Sequence, residues 1–204
     1  MMKKVFKKQT QEITTRAGKL FSRVPVSPNA WTALSLLVAL VGFFALALRE
    51  MLLGLILFIF AAALDAIDGA VARAARKTTR LGAYLDGMVD RFVEALLLFG
   101  LMAFGLPEFV IPGYGWLALL LFLGTCMTSY ARAYADHRKA IDEKEVEKMG
   151  GARERAERLL LIFLAMCAWF FEPVYATYLI ALATALAFVT VIQRVGFVVG
   201  NARA

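Results

Sequence analysis

The chain has 204 residues, 61% of them hydrophobic, and its mean hydropathy is +0.68. A soluble domain of this length would be closer to about half apolar, so the composition excludes an ordinary soluble protein. The formal net charge is +7, from 23 Lys/Arg against 16 Asp/Glu. A nucleic-acid-binding protein can carry such a charge, but here the basic residues fall into alternate loops between apolar segments. That distribution indicates a membrane protein and no nucleic-acid partner.

The first predicted element is an amphipathic helix within a cytoplasmic juxtamembrane segment, residues 1–26. Its apolar side chains, among them Phe6, Ile13 and Leu20, fall on one helical face, with Lys and Thr largely opposite. This pattern is typical of a helix that lies in the membrane interface and is attracted by anionic lipid headgroups. The basic N-terminus lacks a small-residue cleavage site, so we expect no cleavable signal peptide.

Six apolar segments follow, and they predict an all-α integral membrane domain of six transmembrane helices over residues 27–204. The segments lie near residues 29–48, 51–72, 83–105, 114–136, 157–171 and 175–198. Lys and Arg concentrate in the N-terminal arm and in the connections after the second and fourth segments. The other connections contain Glu50, Glu108 and Glu172, with Arg49 as their single basic residue. By the positive-inside rule, we expect a multi-pass protein of the cell membrane with both termini cytoplasmic.

Two further features point to structural roles. The polar stretch 137–155 is expected to contain a short cytoplasmic helix that ends at Gly150 and Gly151. Cys126 and Cys167 lie in apolar spans without paired spacing, so we expect small core residues rather than a disulfide or a zinc site.

Four aspartates interrupt the second and third apolar segments, where each carboxylate costs free energy. Asp65 and Asp68 are three residues apart, and Asp86 and Asp90 are four apart, so each pair shares one helical face. On neighbouring antiparallel helices the pairs would meet near the cytoplasmic edge of the membrane. Carboxylates this close cannot all stay ionised without a cation. Oxygen ligands alone favour Mg²⁺ or Mn²⁺.

Glycines and an arginine accompany the aspartates. Gly69 and Gly82 leave space for a bulky group to approach the backbone, and Arg73, one turn from Asp68, can reach a phosphate. Together they predict a metal site for phosphoryl chemistry, with a nucleotide or pyrophosphate held at the boundary and a lipid tail in the bilayer. Two alternatives stay open: a cation transporter, and a buried ion network. The arginines of that network would be Arg73, Arg76, Arg80 and Arg91.

From Asp65 the sequence is Asp-x-x-Asp-Gly-x-x-Ala-Arg, then eight residues, then Gly-x-x-x-Asp-x-x-x-Asp. This resembles the signature of the CDP-alcohol phosphatidyltransferases. Every fixed position is present: Asp65, Asp68, Gly69, Ala72, Arg73, Gly82, Asp86 and Asp90. "SPNAWT" also opens the first span where family members carry Pro-Asn and Thr. The resemblance covers the whole chain and implies six transmembrane helices, an interfacial N-terminal helix and a homodimer.

The resemblance implies a reaction in which a hydroxyl of a small polar alcohol attacks a CDP-lipid and CMP leaves. Asp65, Asp68 and Asp86 would hold two ions, Mg²⁺ or Mn²⁺, with Asp90 as a further ligand. Asp90 would also be the general base for the attacking hydroxyl. The CDP-binding residues would be Asp65, Asp68, Gly69, Ala72, Arg73, Gly82, Asn29 and Thr32. No Cys or His is placed to act as a nucleophile, so we favour direct in-line attack.

Cationic residues end the fourth, fifth and sixth spans: Arg132, then Arg155 or Arg158, then Arg194. Three converging cations would suit an acceptor that carries a phosphate, although basic residues that snorkel to the membrane surface give the same pattern. These stretches resemble the branch that makes phosphatidylinositol phosphate and archaetidylinositol phosphate. Inositol 1-phosphate is therefore the expected acceptor. Glycerol 3-phosphate, free inositol and another inositol phosphate are the alternatives, and a cation or lipid transporter is the rival class.

Overall fold

The computed structural model describes residues 28–74, 79–149 and 152–202. These ranges are helical, and apart from an isolated bridge between Phe109 and Ile111 they contain no strand pairing. The helices are α1 Pro28–Ala47, α2 Met51–Ala74, α3 Arg80–Phe104, α4 Gly113–Leu120, a π-helical segment Leu121–Met127, α5 Thr128–His137, α6 Glu143–Lys148, α7 Ala152–Ala168 and α8 Pro173–Asn201. The predicted all-α class is confirmed. The amphipathic helix expected within residues 1–26 lies outside the described residues.

Several helices have the length and composition of membrane spans. Within the described ranges, three are long and apolar enough to cross a bilayer: Ala30–Ala47, Gly113–His137 and Pro173–Asn201. A shorter apolar stretch, Met51–Ile67, belongs to α2. Large apolar side chains such as Phe44, Phe60 and Phe188 are more than half exposed on these helices, as lipid-facing residues are. The protein is a multi-pass membrane protein, and the number of six spans stays a prediction.

The chain divides into two compact units, and the first contains α1 as far as Ala45 together with Leu52–Leu97. Phe58 of α2 is 1% exposed, and its ring packs against α1 at Gly42. A Cβ on Gly42 would lie 3.0 Å from the Phe58 ring, so a glycine at this position allows the two helices to approach closely. This contact fixes α2, which carries Asp65, against α1.

A side-chain cap sets the start of α3. The Gly82 backbone N–H donates to Thr79 Oγ1 at 2.9 Å, and the Ala83 N–H donates to the Thr79 carbonyl at 3.0 Å. Thr79 therefore caps the helix, which begins at Arg80, three residues before the apolar pattern starts. The cap sets where the helix that carries Asp86 and Asp90 begins.

The second unit contains Leu46–Met51 and the chain from Leu98 onward. Its central element is α8, which contacts α4, the π-helical segment, α5 and α7. Small buried residues line α8, including Ala176, Ala183 and Ala187, and they allow the neighbouring helices to approach closely. The polar stretch 137–155 contains the expected short helix, α6. Around it Ile141, Val146 and Met149 pack with Ala135 against Phe197 and Val198, while Gly150 and Gly151 lie outside the described residues.

The expectation that both cysteines are core residues is wrong. Cys126 and Cys167 are free thiols, and both are exposed. In a membrane protein the outward faces of a helix are as apolar as its core faces. An apolar neighbourhood in the sequence therefore does not say which way a residue points.

Candidate active site

Carboxylates from two helices meet in the first unit. Asp65 of α2 and Asp86 and Asp90 of α3 each offer an oxygen within 4.8 Å of the others, and all three residues are partly buried. Two oxygens on one octahedral ion lie about 3–4 Å apart, so small side-chain rotations would bring these oxygens onto a shared cation. The donor set is oxygen only, which fits Mg²⁺ or Mn²⁺. Three of the four predicted ligands thus come together, and the Asp68 side chain lies outside the described residues.

One arginine of the alternative ion network contacts this cluster. Arg91 Nη1 lies 3.7 Å from Asp90 Oδ2, with the two side chains 38% and 17% exposed. Charge-assisted hydrogen bonds between such groups are about 2.7–2.9 Å long, so this pair is loose. Arg80 is exposed at the start of α3, and the side chains of Arg73 and Arg76 lie outside the described residues.

A further acidic residue of α3, Glu94, was not among the predicted site residues. Glu94 is fully buried, at 0% exposed, and lies one turn beyond Asp90 on the same helical face. The spacing of Asp86, Asp90 and Glu94 is a regular four-residue repeat, which was visible in the sequence. An acidic side chain inside a membrane domain is a candidate functional group.

The predicted CDP-binding residues are described only in part. Thr32 of α1 is 8% exposed, and its carbonyl accepts from Ser35 Oγ at 2.8 Å. The backbone of Gly82 lies in the capped first turn of α3. The side chains of Asn29, Ala72 and Arg73, together with the surroundings of Gly69, lie outside the described residues.

The predicted acceptor arginines all belong to the second unit. Arg158 and Arg194 are only 8% and 6% exposed, whereas Arg132 and Arg155 are partly buried. Arg194 Nη1 donates to the backbone carbonyl of Thr128 in α5. A snorkelling side chain keeps its charged end in water. The burial of Arg158 and Arg194 therefore disagrees with snorkelling at these two positions.

The clustered carboxylates of α2 and α3 are groups with which a membrane enzyme can hold a metal ion, and the buried arginines of the second unit are groups that can bind a phosphate. The family model for CDP-alcohol phosphatidyltransferase matches residues 25–191, and the chain belongs to this family. It is therefore an enzyme, a transferase of phospholipid synthesis in a metal-dependent family.

Two individual relatives and one solved structure are similar to this chain. Archaetidylinositol phosphate synthase of Pyrococcus horikoshii is 32% identical over 199 residues, which cover 96% of this chain and 95% of the relative. A bifunctional IPC transferase and DIPP synthase of Thermococcus kodakarensis is 32% identical over 158 residues, 76% of this chain and 35% of that protein. The crystal structure of Mycobacterium tuberculosis phosphatidylinositol phosphate synthase with CDP-DAG bound matches with a TM-score of 0.74. It is 24% identical, and the match covers 92% of this chain and 94% of that one.

Proposed function

We propose that the protein transfers a phosphatidyl- or archaetidyl-type group from a CDP-lipid to a hydroxyl of inositol 1-phosphate and releases CMP. The observation that carries the proposal is the cluster of Asp65, Asp86 and Asp90 in a chain of this family. The name of the Pyrococcus horikoshii relative supports an inositol phosphate acceptor. The CDP-DAG bound to the Mycobacterium tuberculosis enzyme supports a CDP-lipid donor.

The donor would be held by the signature residues. Asp65, Asp68 and Asp86, with Asp90, would hold two ions of Mg²⁺ or Mn²⁺, and the Mycobacterium tuberculosis structure in complex with manganese and citrate supports this class of ion. Such ions, when bound, neutralise a pyrophosphate and the charge that develops during transfer. The residues that bind the CDP group would be Asp65, Asp68, Gly69, Ala72, Arg73, Gly82, Asn29 and Thr32.

Asp90 would be the general base. It accepts the proton of the acceptor hydroxyl while the hydroxyl oxygen bonds to the lipid-linked phosphorus. The bond from that phosphorus to the bridging oxygen breaks, and CMP leaves with the bridging oxygen. The transfer is a single in-line displacement without a covalent enzyme intermediate.

The acceptor phosphate would be bound by Arg132, Arg155 or Arg158, and Arg194. Two of these arginines, Arg158 and Arg194, are more than nine-tenths buried. A buried guanidinium has little contact with water, and an anionic phosphate would satisfy it by charge-assisted hydrogen bonds. The site would face the cytoplasm, with both termini on the same side, in a homodimer whose protomers each have six spans. Residues 1–26 would form an amphipathic helix in the interface that binds membrane lipids.

Release of CMP from a CDP-lipid by the purified protein in detergent tests the proposal. The assay compares inositol 1-phosphate, glycerol 3-phosphate, free inositol and another inositol phosphate, each with Mg²⁺, Mn²⁺ or EDTA. We expect turnover with inositol 1-phosphate and none in EDTA. Turnover with another alcohol would overturn the acceptor and keep the reaction. If no acceptor gave CMP, the reaction would be wrong, and flux of cations or lipid across vesicles would test the transporter.

Asp90→Asn tests the base within the same assay. We expect kcat to fall by about 10²–10⁴-fold, because a general base contributes about that much. Binding of the CDP-lipid should change little, since Asp65, Asp68 and Asp86, the main proposed ligands of the ions, remain. Glu108→Gln, in the loop that follows α3, is the control and should behave as wild type. Near-normal turnover by Asp90→Asn would show that another group accepts the proton.

A further inference from the structure

The helix that runs from Gly113 to His137 changes its geometry in the middle. Between α4 and α5 the segment Leu121–Met127 is π-helical, and Gly124 and Thr125 within it are buried. A π-helical turn is wider than an α-helical one, and such turns are frequent at functional sites. The wider turn here receives a side chain from α7.

That side chain is Arg158. A Cβ on Gly124 would lie 2.9 Å from Arg158 Cδ and 3.2 Å from Nε. Contacts below 3.0 Å are too close for a real Cβ, and the atoms concerned are the middle of a side chain that is only 8% exposed. Arg158 could not swing aside without leaving its buried position. Because Gly124 has no side chain, Arg158 can pack directly against the helix backbone at this position.

A second arginine contacts the same helix one turn further on. Arg194 of α8 donates from Nη1 to the carbonyl of Thr128, and Thr128 Oγ1 donates to the carbonyl of Gly124. The hydroxyl contact shows that Gly124 and Thr128 lie one above the other on one face. Arg132 follows Thr128 by four residues, so it continues this face by one more turn. We call Gly124, Thr128 and Arg132 the arginine-facing stripe.

We propose that Arg158, which packs against Gly124, is a positioning residue. It holds the arginine-facing stripe in place and so orients Arg132 and Arg194 for an anionic acceptor. This inference rests on the proposed function, in which those two arginines bind the acceptor phosphate. Each charge-assisted hydrogen bond to a phosphate needs a set distance and direction. A shift of about 1 Å in a group that positions a substrate can cost about 10²-fold in rate.

The proposal also divides the roles of the two candidate arginines of α7. Arg158 is held against the π-helical segment, whereas Arg155, three residues earlier, is less buried. We assign Arg155 as the third cation for the acceptor phosphate. Arg158 acts through Gly124 on the helix that carries Arg132.

A double-mutant cycle tests this role, with Gly124→Ala, Arg158→Ala and the double variant assayed beside wild type. Gly124→Ala should raise KM for inositol 1-phosphate about tenfold, while kcat and KM for the CDP-lipid stay within about twofold. In the Arg158→Ala background, Gly124→Ala should cause no further rise in KM for inositol 1-phosphate, because its effect acts through the Arg158 side chain. Gly196→Ala on α8 is the matched control, since nothing lies within 4 Å of its Cβ position. It should match wild type.

Two results would overturn the proposal. One is an additive cycle, in which Gly124→Ala raises KM equally with and without Arg158. The other is an unchanged acceptor KM in Gly124→Ala, or a loss confined to kcat or to the CDP-lipid. Either would show that the contact between Arg158 and Gly124 does not set the acceptor site.

A second readout separates this proposal from the proposed reaction. Inorganic phosphate in EDTA should raise the melting temperature of wild type and Gly196→Ala more than chloride of equal ionic strength does, and should raise that of Gly124→Ala less. If wild type released no CMP but gave this phosphate pattern, the reaction would be wrong and the positioning role would stand. Equal phosphate shifts in all three proteins would refute the positioning role. If wild type showed no turnover and no phosphate shift, both the proposed reaction and the positioning role would be refuted.

Discussion

Asp86→Asn should stabilise the protein in the absence of metal. It removes one of three charges whose oxygens lie within 4.8 Å of one another. Two like charges at that distance repel by about 3.5 kcal/mol at an effective dielectric constant of about 20, so the upper bound on the repulsion relieved, with all three carboxylates ionised, is about 7 kcal/mol. The carboxylates are partly exposed, and Arg91 lies beside Asp90. We therefore expect about 1–2 kcal/mol to survive screening.

The same substitution should abolish stabilisation by a cation. At a concentration about 100 times its Kd, Mn²⁺ stabilises a protein with one site by about 2.7 kcal/mol. For a chain of this size 1 kcal/mol corresponds to about 2–4 °C, so wild type should gain about 5–11 °C with Mn²⁺. Asp86→Asn should start about 2–8 °C above wild type in EDTA and gain little from the ion.

Thermal unfolding in detergent, followed by tryptophan fluorescence in EDTA and in Mn²⁺, measures both effects. Glu108→Gln, which removes a loop carboxylate, should leave both melting temperatures as in wild type. The reasoning would be refuted if Asp86→Asn melted below wild type in EDTA and kept the full Mn²⁺ shift. That result would mean that the contacts of Asp86 in the metal-free protein outweigh the repulsion between the carboxylates and that the cation binds elsewhere.

Two predictions concern stability alone, measured by the same melting assay. Thr125 Oγ1 is buried and has no hydrogen-bond partner among the residues that the structure describes, so Thr125→Val should stabilise by about 1 kcal/mol. Thr177→Val removes the 2.9 Å hydrogen bond to the Pro107 carbonyl and should destabilise by about as much. If both variants shifted the melting temperature equally and in the same direction, the two assignments would be contradicted. Thr79→Ala should cost about 0.5–2 kcal/mol, because the N–H of Gly82 loses its acceptor. An unchanged melting temperature would show that α3 does not need this cap.

Local spacing made the acidic site predictable. Asp86 and Asp90 share a face because they are four residues apart in one helix, and this holds whatever the helix packs against. The apolar pattern likewise predicted helices where the structure has α1, α2, α4, α5 and α8. The start of α3 lies three residues before the predicted segment, because the cap depends on a single hydroxyl of Thr79. The apolar pattern also placed the fifth segment near 157–171, whereas α7 runs over Ala152–Ala168, and it did not predict the π-helical segment Leu121–Met127.

The sequence by itself thus determined the all-α class, the membrane setting, the family and the aspartates, since each follows from composition or from spacing within a helix. Only the tertiary structure decided that Arg158 sits on Gly124 and that Arg194 reaches Thr128, 66 residues away. Such contacts depend on how each helix is rotated about its axis. Apolar side chains cover both the lipid face and the core face, so hydrophobicity cannot fix that rotation, as the exposed Cys126 and Cys167 show. Packing between small residues and the placement of buried charges fix it instead.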